Sequence, residues 1–501
     1  MRVLLVDVPD VVADPLTTQL AGRAEVTTLS ADLLDPSAPL ATEHDVVVHG
    51  LGSGSDEDDQ LLRSTLGTWN LLHSLPRGRY VQLSTMQVFD GYDDGWDVRE
   101  NWQPRPTTDP YVLACHLGEL TGRDLTRGRD LTTVTVRLDE VVTEERFAAG
   151  PVGPRWLHLD DAVSAVLRAI HADLGDQAHG RWAMLHAVRG DGRFSPGSAE
   201  KDFGFRAEHT SPTHDGPNRP SLPTLAPVTG LQRPERITLY GAGGPLGAAT
   251  LPLVTERALV RATDVTDLAE LARRPPQSEG APVPSPLSAP HENLVVDVSD
   301  AEQVRAAAVD ADCLVNLSVV RVDTRVAFAV NLLGAWHTVR AAVSEGVPRV
   351  VQTGPTLAIA PYPWGSTHDR RVDGTQDFRS GDWIYLLTKM LGQEVCRIVA
   401  EAHGLACPVL LYCGFSVDPA TRRARSGTGQ PHSFSVSWAD AGRSVVAAMD
   451  VERLDEPSPV VNILAPQPHD AWTVDRARRI LGWQAEERLD ELWFHPRVRQ
   501  G

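Results

Sequence analysis

Apolar and polar positions run along this chain in a pattern that occurs twice. Each half opens on a short apolar run, Val3–Val6 and Ile237–Tyr240, followed by a loop and a stretch of helical period. Short continuous apolar runs bounded by turn residues fit strands buried on both faces. Next come DVVVHGLGS from Asp45 and DCLVNLSVV from Asp312, each a strand ending in a polar turn. A helix follows, STLGTWNLLHSL from Ser64 and NLLGAWHTVRAA from Asn331. Then a strand leads to a hydroxyl-rich turn, YVQLSTMQVF from Tyr80 and RVVQTGPTLA from Arg349. A tyrosine-led helix comes after it, PYVLACHLGEL from Pro110 and IYLLTKMLGQE from Ile384. Both halves continue with an apolar strand and an aspartate near a helix start, WLHLDDAV from Trp156 and SVSWADAG from Ser435. Both close on a short helix ending in glycine plus an aromatic, Gly204–Phe205 and Gly482–Trp483.

So many features in one order, at a period of about half the chain, predict a duplicated domain. Strands alternating with helices predict an α/β fold: two tandem Rossmann-type doubly wound parallel-sheet domains, each with a small C-terminal substrate lobe. The domains are expected at 1–208 and 236–501. Residues 209–235, with Pro212, Pro217, Pro220, Pro223, Pro227 and Pro234, read as an extended linker. A second Pro-rich stretch, Arg273–Pro290, reads as a mobile loop inserted after the second strand of the second half.

The chain has 501 residues, ample for two cores, and a net charge of −19. That acidity argues against nucleic acid and anionic membranes as partners. Five scattered cysteines without a CxxC pair fit a reducing, cytoplasmic setting. The N-terminus lacks a signal-peptide pattern, and no run of ~20 apolar residues reads as a membrane span. No metal-ligand spacing is evident.

Candidate chemistry concentrates in the second half. Its first strand runs into GAGGPLG, which gives Gly241, Gly244 and Gly247 the GxxGxxG spacing. The first glycine suits a tight turn, the second a close approach of backbone to a pyrophosphate, the third close helix–strand packing. The next strand ends in Asp264, where a carboxylate would bond an adenosine ribose and disfavour a 2′-phosphate, although Arg261 is near. NAD is expected over NADP. Tyr385 and Lys389 form a YxxxK pair on one helix face.

Taken together the chain resembles extended short-chain dehydrogenase/reductases, the NAD-dependent epimerase/dehydratase family, over nearly its whole length. The resemblance implies that Tyr385 is the acid/base, with Lys389 its activator and a ligand of the nicotinamide ribose. It implies adenine contacts at Asp297 and Val298. Three positions depart from it. Gly354 stands where the family has a serine or threonine, leaving Thr353 (or Thr356) to supply the hydroxyl. Tyr412 stands where an arginine is usual, and Ala439 where the first half has Asp160 of its Asp160–Asp161 pair. Trp364 and Trp383 are candidates for lining a substrate pocket.

The first half looks inactive. Asp7, Asp10 and Ala13 fall where the three glycines belong, and carboxylates there repel a pyrophosphate by about 1 kcal/mol each even when well solvated. Tyr111 is kept and Thr85 sits at the hydroxyl position, but Cys115 replaces the lysine. Family members commonly dimerise through the two helices around the hydroxyl turn. Here that predicts an intramolecular pseudo-dimer of Ser64–Leu75 and Tyr111–Arg123 with Val330–Val343 and Tyr385–Ala400, with further homo-oligomerisation left open. The leading reading is an NAD-dependent oxidoreductase or epimerase/dehydratase acting on a small hydroxyl- or keto-bearing molecule, a nucleotide sugar and a secondary-metabolite intermediate being the candidates. The rivals are a non-catalytic NAD-binding scaffold or sensor, and an assembly factor that binds no nucleotide.

Overall fold

The computed structural model describes the chain apart from residues 93–95, 97, 128, 150–152, 154, 175–181, 191–192, 198, 210–224, 278–279, 357–371, 417–434, 467–471 and 490–501. It divides into two compact units, Met1–Thr224 and Leu225–Gly501.

The first unit is built on six parallel strands. In sheet order they are Glu25–Thr28, Arg2–Val6, Val46–Gly50, Gly78–Thr85, Leu131–Leu138 and Trp182–Ala187. The second unit has seven: Glu292–Val295, Leu259–Asp264, Arg236–Tyr240, Cys313–Asn316, Val350–Pro355, Val409–Tyr412 and Val460–Asn462, also all parallel. Both sheets reverse direction of growth beside their first strand, so each has a crevice at the carboxyl ends of its central strands, where ligands of this fold class bind. The extra edge strand of the second unit follows the Arg273–Pro290 insertion. That insertion is tied down: Asn293 exchanges side-chain hydrogen bonds with both backbone groups of Leu287, at 2.9 and 2.8 Å.

The apolar runs are buried because helices cover both sheet faces. Val3, Leu5, Val46, Val48, Val81 and Val134 form one core; Ile237, Leu239, Cys313, Val315, Val351 and Leu410 form the other. The second-unit helix 324–344 is, among the described residues, the one long and apolar enough to cross a membrane, contrary to the sequence expectation that none is. Its apolar character has a local reason, since 72% of that stretch is buried in the protein. In each unit this helix contains a π-helical turn, Arg63–Gly67 and Phe328–Leu333. The tyrosine helix of the same unit (Pro110–Thr126 or Ile384–His403) presses on it through a glycine. A Cβ on Gly118 would lie 2.9 Å from the Ser64 carbonyl oxygen, and one on Gly392 2.3 Å from that of Asn331.

The ends of the two units match in detail. Asp161 accepts the backbone N–H groups of Glu208 and His209 at 2.9 and 3.1 Å. Asp440 accepts those of Glu486 and Glu487 at 2.8 and 3.0 Å. The second member of the Asp-Asp pair therefore does this work, and Ala439 is exposed where Asp160 is exposed. Small parallel strand pairs, Glu140–Val142 with Trp156–His158 and Gly414–Ser416 with Ser435–Ser437, flank the main sheets. The sequence-based linker is too long: Val228–Thr229 pairs with Arg453–Leu454 and Leu231 is buried, so its last residues belong to the second unit.

Candidate active site

The glycine loop of the second unit leaves its first strand at Gly241, whose φ of +77° favours glycine. A Cβ there would also meet the Ser318 nitrogen at 2.7 Å. Gly244 caps the helix Pro245–Thr255. Gly247 packs on the loop itself, where a Cβ would lie 2.5 Å from the Ala242 carbonyl oxygen. Gly244 is different. The nearest atom to a Cβ there is the Gly241 carbonyl oxygen at 3.5 Å, an ordinary contact, so packing within the protein does not demand glycine. Its open side faces a cleft at the N-terminus of an 11-residue helix, where backbone N–H groups and the helix dipole favour an anion.

That cleft, of about 1030 Å³, is lined by the expected cofactor-binding and catalytic residues Gly241, Gly244, Gly247, Asp264, Asp297, Val298, Thr353, Tyr385 and Lys389. Asp264 ends its strand beside the loop and accepts the Gly243 N–H at 3.0 Å. Burial pushes its carboxyl upward. Arg261 plays no part, since it reaches Glu292 at 2.6 Å and the carbonyl oxygens of Ala307 and Val309. The arginine that lines the cleft with Asp264 is Arg274, which pairs with Glu270. Asp297 accepts the Ser299 N–H and hydroxyl at 2.9 and 2.7 Å.

Tyr385 and Lys389 share one face of the helix Ile384–His403. Lys389 is buried, and desolvation pushes its ammonium down to about 8. Its Nζ donates to the Ser318 carbonyl at 3.4 Å. Tyr385 departs from the expected activation. Burial pushes its phenol up, and the cation that pulls it back is Arg321, not Lys389. The Arg321 guanidinium carbon lies 5.4 Å from the Tyr385 ring centroid. Sequence reading missed Arg321 because it sits in an irregular turn. Its placement has a cause: Asn331, in the π-helical turn, holds both backbone groups of Val320 at 3.0 and 2.7 Å and bonds Thr388 at 2.9 Å.

The sheet register corrects the hydroxyl alignment. Gln82 pairs with His49 as Gln352 pairs with Asn316, so Ser84 corresponds to Gly354 and Thr85 to Pro355. Gly354 lies against Gln393: a Cβ there would come within 2.3 Å of Nε2, so that side chain would have to shift. The Thr353 hydroxyl donates to the Asn316 carbonyl at 3.2 Å. Thr356 is buried and absent from the cleft lining. The far wall is aromatic: Phe415 stacks on Trp438 at 4.1 Å, beside Tyr412, whose hydroxyl bonds Ser444 at 2.7 Å. Trp383 is 49% exposed and stands edge-on to Tyr385, outside the lining. Trp364 lies outside the described residues.

The first unit differs at each of these points. Its strand–helix turn is one residue shorter, with Pro9 as the cap and Asp10 the first helical residue. Pro9 has no N–H to offer an anion, and Val12, not Ala13, packs where Gly247 does. Asp7 is not a free carboxylate: Arg63 holds it through two bonds of 2.8 and 2.6 Å. Tyr111 lies against Gly52, and Cys115 is buried, its thiol pushed far up by desolvation. Glu144, His158 and His209 cluster nearby, but hydrogen bonds account for them. His158 Nδ1 accepts the Asp160 N–H at 3.1 Å, which leaves Nε2 to donate to Glu144 at 2.7 Å.

No protein-family model and no curated protein sequence matches the chain. Solved structures do. Glucuronic acid dehydrogenase from Chromohalobacter salexigens shares 23% identity, over 54% of this chain and 90% of its own, with a TM-score of 0.42. Uronate dehydrogenase from Agrobacterium tumefaciens shares 20% over 51% and 85%, TM-score 0.39. UDP-glucose 4-epimerase from Thermus thermophilus, solved with NAD, shares 18% over 50% and 85%, TM-score 0.34.

Proposed function

We propose that the second unit binds NAD and uses it for oxidoreductase or epimerase/dehydratase chemistry on a small molecule bearing a hydroxyl or carbonyl. The observation that carries this reading is the convergence of the glycine loop, Asp264 and the Tyr385–Lys389 pair on one cleft. The open side of Gly244 fits a pyrophosphate, and Asp264 fits a ribose diol. Asp297 and Val298 would flank the adenine, and Lys389 would hold the nicotinamide ribose. The bound dinucleotide would supply a hydride acceptor and donor. Tyr385, which burial keeps protonated, would exchange the proton at the substrate oxygen, with Thr353 on the cleft wall beside it. The stacked Phe415–Trp438 pair offers an apolar floor for a ring. The first unit is read as a copy, derived by duplication, that binds no dinucleotide and serves a structural role. Pairing of its two helices with those of the second unit is part of this reading, testable by cross-linking mass spectrometry on the whole chain.

Calorimetry with NAD tests it. One NAD per chain is expected, and Gly244→Asp should weaken binding at least about 100-fold, or roughly 3 kcal/mol. No binding by the unaltered protein would overturn the proposal in favour of an assembly role. Gly354 favours one rival, a non-catalytic NAD sensor. Turnover of glucuronate or UDP-glucose with NAD that Tyr385→Phe abolishes, at unchanged NAD affinity, would exclude that rival.

A further inference from the structure

We infer that Arg321 supplies the donor to the reacting substrate oxygen that the hydroxyl turn of the second unit has lost. The inference rests on the proposed chemistry of that cleft. Three separate observations meet here. By register the turn offers Gly354 and Pro355 where the first unit has Ser84 and Thr85. The nearest hydroxyl, that of Thr353, is committed to the Asn316 carbonyl. In the second unit the Arg321 guanidinium carbon instead lies 5.4 Å from the Tyr385 ring centroid, and both side chains line the cleft.

Arg321 is equipped for the task. It lines the cleft with Tyr385, and no carboxylate pairs with it among the described residues. Its turn is clamped to the tyrosine helix through Asn331, which bonds Val320 on one side and Thr388 on the other. The backbone that carries the Arg321 guanidinium is therefore fixed beside the tyrosine helix before any substrate arrives, a placement that suits a donor to developing charge. A guanidinium offers several N–H groups, so it can serve Tyr385 and the substrate oxygen together. In the reductive direction a hydride from the dinucleotide would add to the carbonyl carbon, the C=O π pair would move to the oxygen, and the Tyr385 phenol would give its proton to that oxygen, leaving a phenolate. Arg321 exchanges no proton in this step. It faces the partial negative charge on the oxygen.

The groups acting on Tyr385 are Arg321, which favours the phenolate, and Cys413, which opposes it, with Lys389 one turn along the same helix. Substituting Arg321 should therefore move the phenol upward. The test titrates Tyr385 by NMR on the whole chain with ring-labelled tyrosine, its signal assigned with Tyr385→Phe. In Arg321→Met the midpoint should rise by about one pH unit or more, with Arg321→Lys in between. NAD affinity should stay within about twofold. On any compound the enzyme turns over, kcat should fall about 100-fold with KM little changed. An unmoved midpoint overturns the inference. So does a raised KM at unchanged kcat, which would make Arg321 a handle for an anionic substrate group. Neither result touches the proposed function, which falls separately if the unaltered protein binds no NAD.

Discussion

Behind the hydroxyl turn the two units solve one packing problem with different chemistry. In the second, Gly354 makes room for Gln393. In the first, Ser84 donates at 2.5 Å to Glu119, which takes two bonds from Arg137 at 2.9 and 2.6 Å. Arg137 also approaches His186 at 3.3 Å and covers the Phe89 ring at 4.8 Å. By register Leu411 and Asn462 stand where Arg137 and His186 do. The unit without a competent glycine loop thus carries a fully buried ion pair, its side chains 2% and 5% exposed. The unit with the loop keeps a neutral core there, and Lys389 and Arg321 line its cleft with no carboxylate partner among the described residues. At this place the first unit keeps its charge internal and paired, and the second keeps cations on the cleft wall.

The largest effect should come from breaking that ion pair. Glu119→Gln imports the residue of the second unit but leaves Arg137 buried and unpaired, at a cost of about 3–5 kcal/mol. Adding Arg137→Leu removes the stranded charge and should recover most of it. Denaturant unfolding reads this in the transition that NAD does not shift, since ligand binding stabilises only the unit that holds it. Recovery failing in the double variant would mean that the pair is woven into its surroundings beyond these two side chains.

Much of this contrast was legible in the sequence, for stated physical reasons. Buried parallel strands read as unbroken apolar runs, so both sheets showed directly. The glycine, acid and tyrosine–lysine positions are tied to strand ends and a helix face, so period and spacing located them. What stayed hidden depends on contacts distant in sequence or on one-residue register. Arg63 neutralises Asp7 from 56 residues away. The one-residue shortening at Pro9 and the offset that matches Thr85 to Pro355 emerge only from strand pairing. Arg321 sits in an aperiodic turn fixed by the side chain of Asn331, in the next helix.

A smaller effect sharpens the point about available charge. Lys389 is desolvated, and its ammonium falls from 10.5 to about 8 in the folded protein. Between those values the unfolded chain binds more protons than the folded one, so stability rises with pH there. Below about 8 the full penalty remains. At 1.36 kcal/mol per pH unit, Lys389→Met should stabilise the NAD-sensitive transition of the ligand-free protein by about 3 kcal/mol at pH 7. That gain should shrink toward nothing as the pH rises from about 8 to 10.5. The same variant should bind NAD more weakly. A destabilised Lys389→Met protein would show that the lysine serves packing more than the cleft.

The smallest difference concerns what the units share. Asp161 and Asp440 each fasten the chain after the glycine–aromatic turn by accepting two successive N–H groups. An asparagine offers one oxygen, so either substitution leaves an N–H facing an amide nitrogen, at about 1–3 kcal/mol. The two should not cost the same. Asp440 is wholly buried, pairs with Arg443 and accepts the hydroxyl of Ser437, the cap of its helix, whereas among the described residues Asp161 adds His209 at 3.2 Å. Asp440→Asn should exceed Asp161→Asn by about 1 kcal/mol, read in the NAD-sensitive and NAD-insensitive transitions respectively. Equal losses would mean that the fastening alone sets the cost. In that case the two closures are interchangeable, and the units differ only in what they leave open to a ligand.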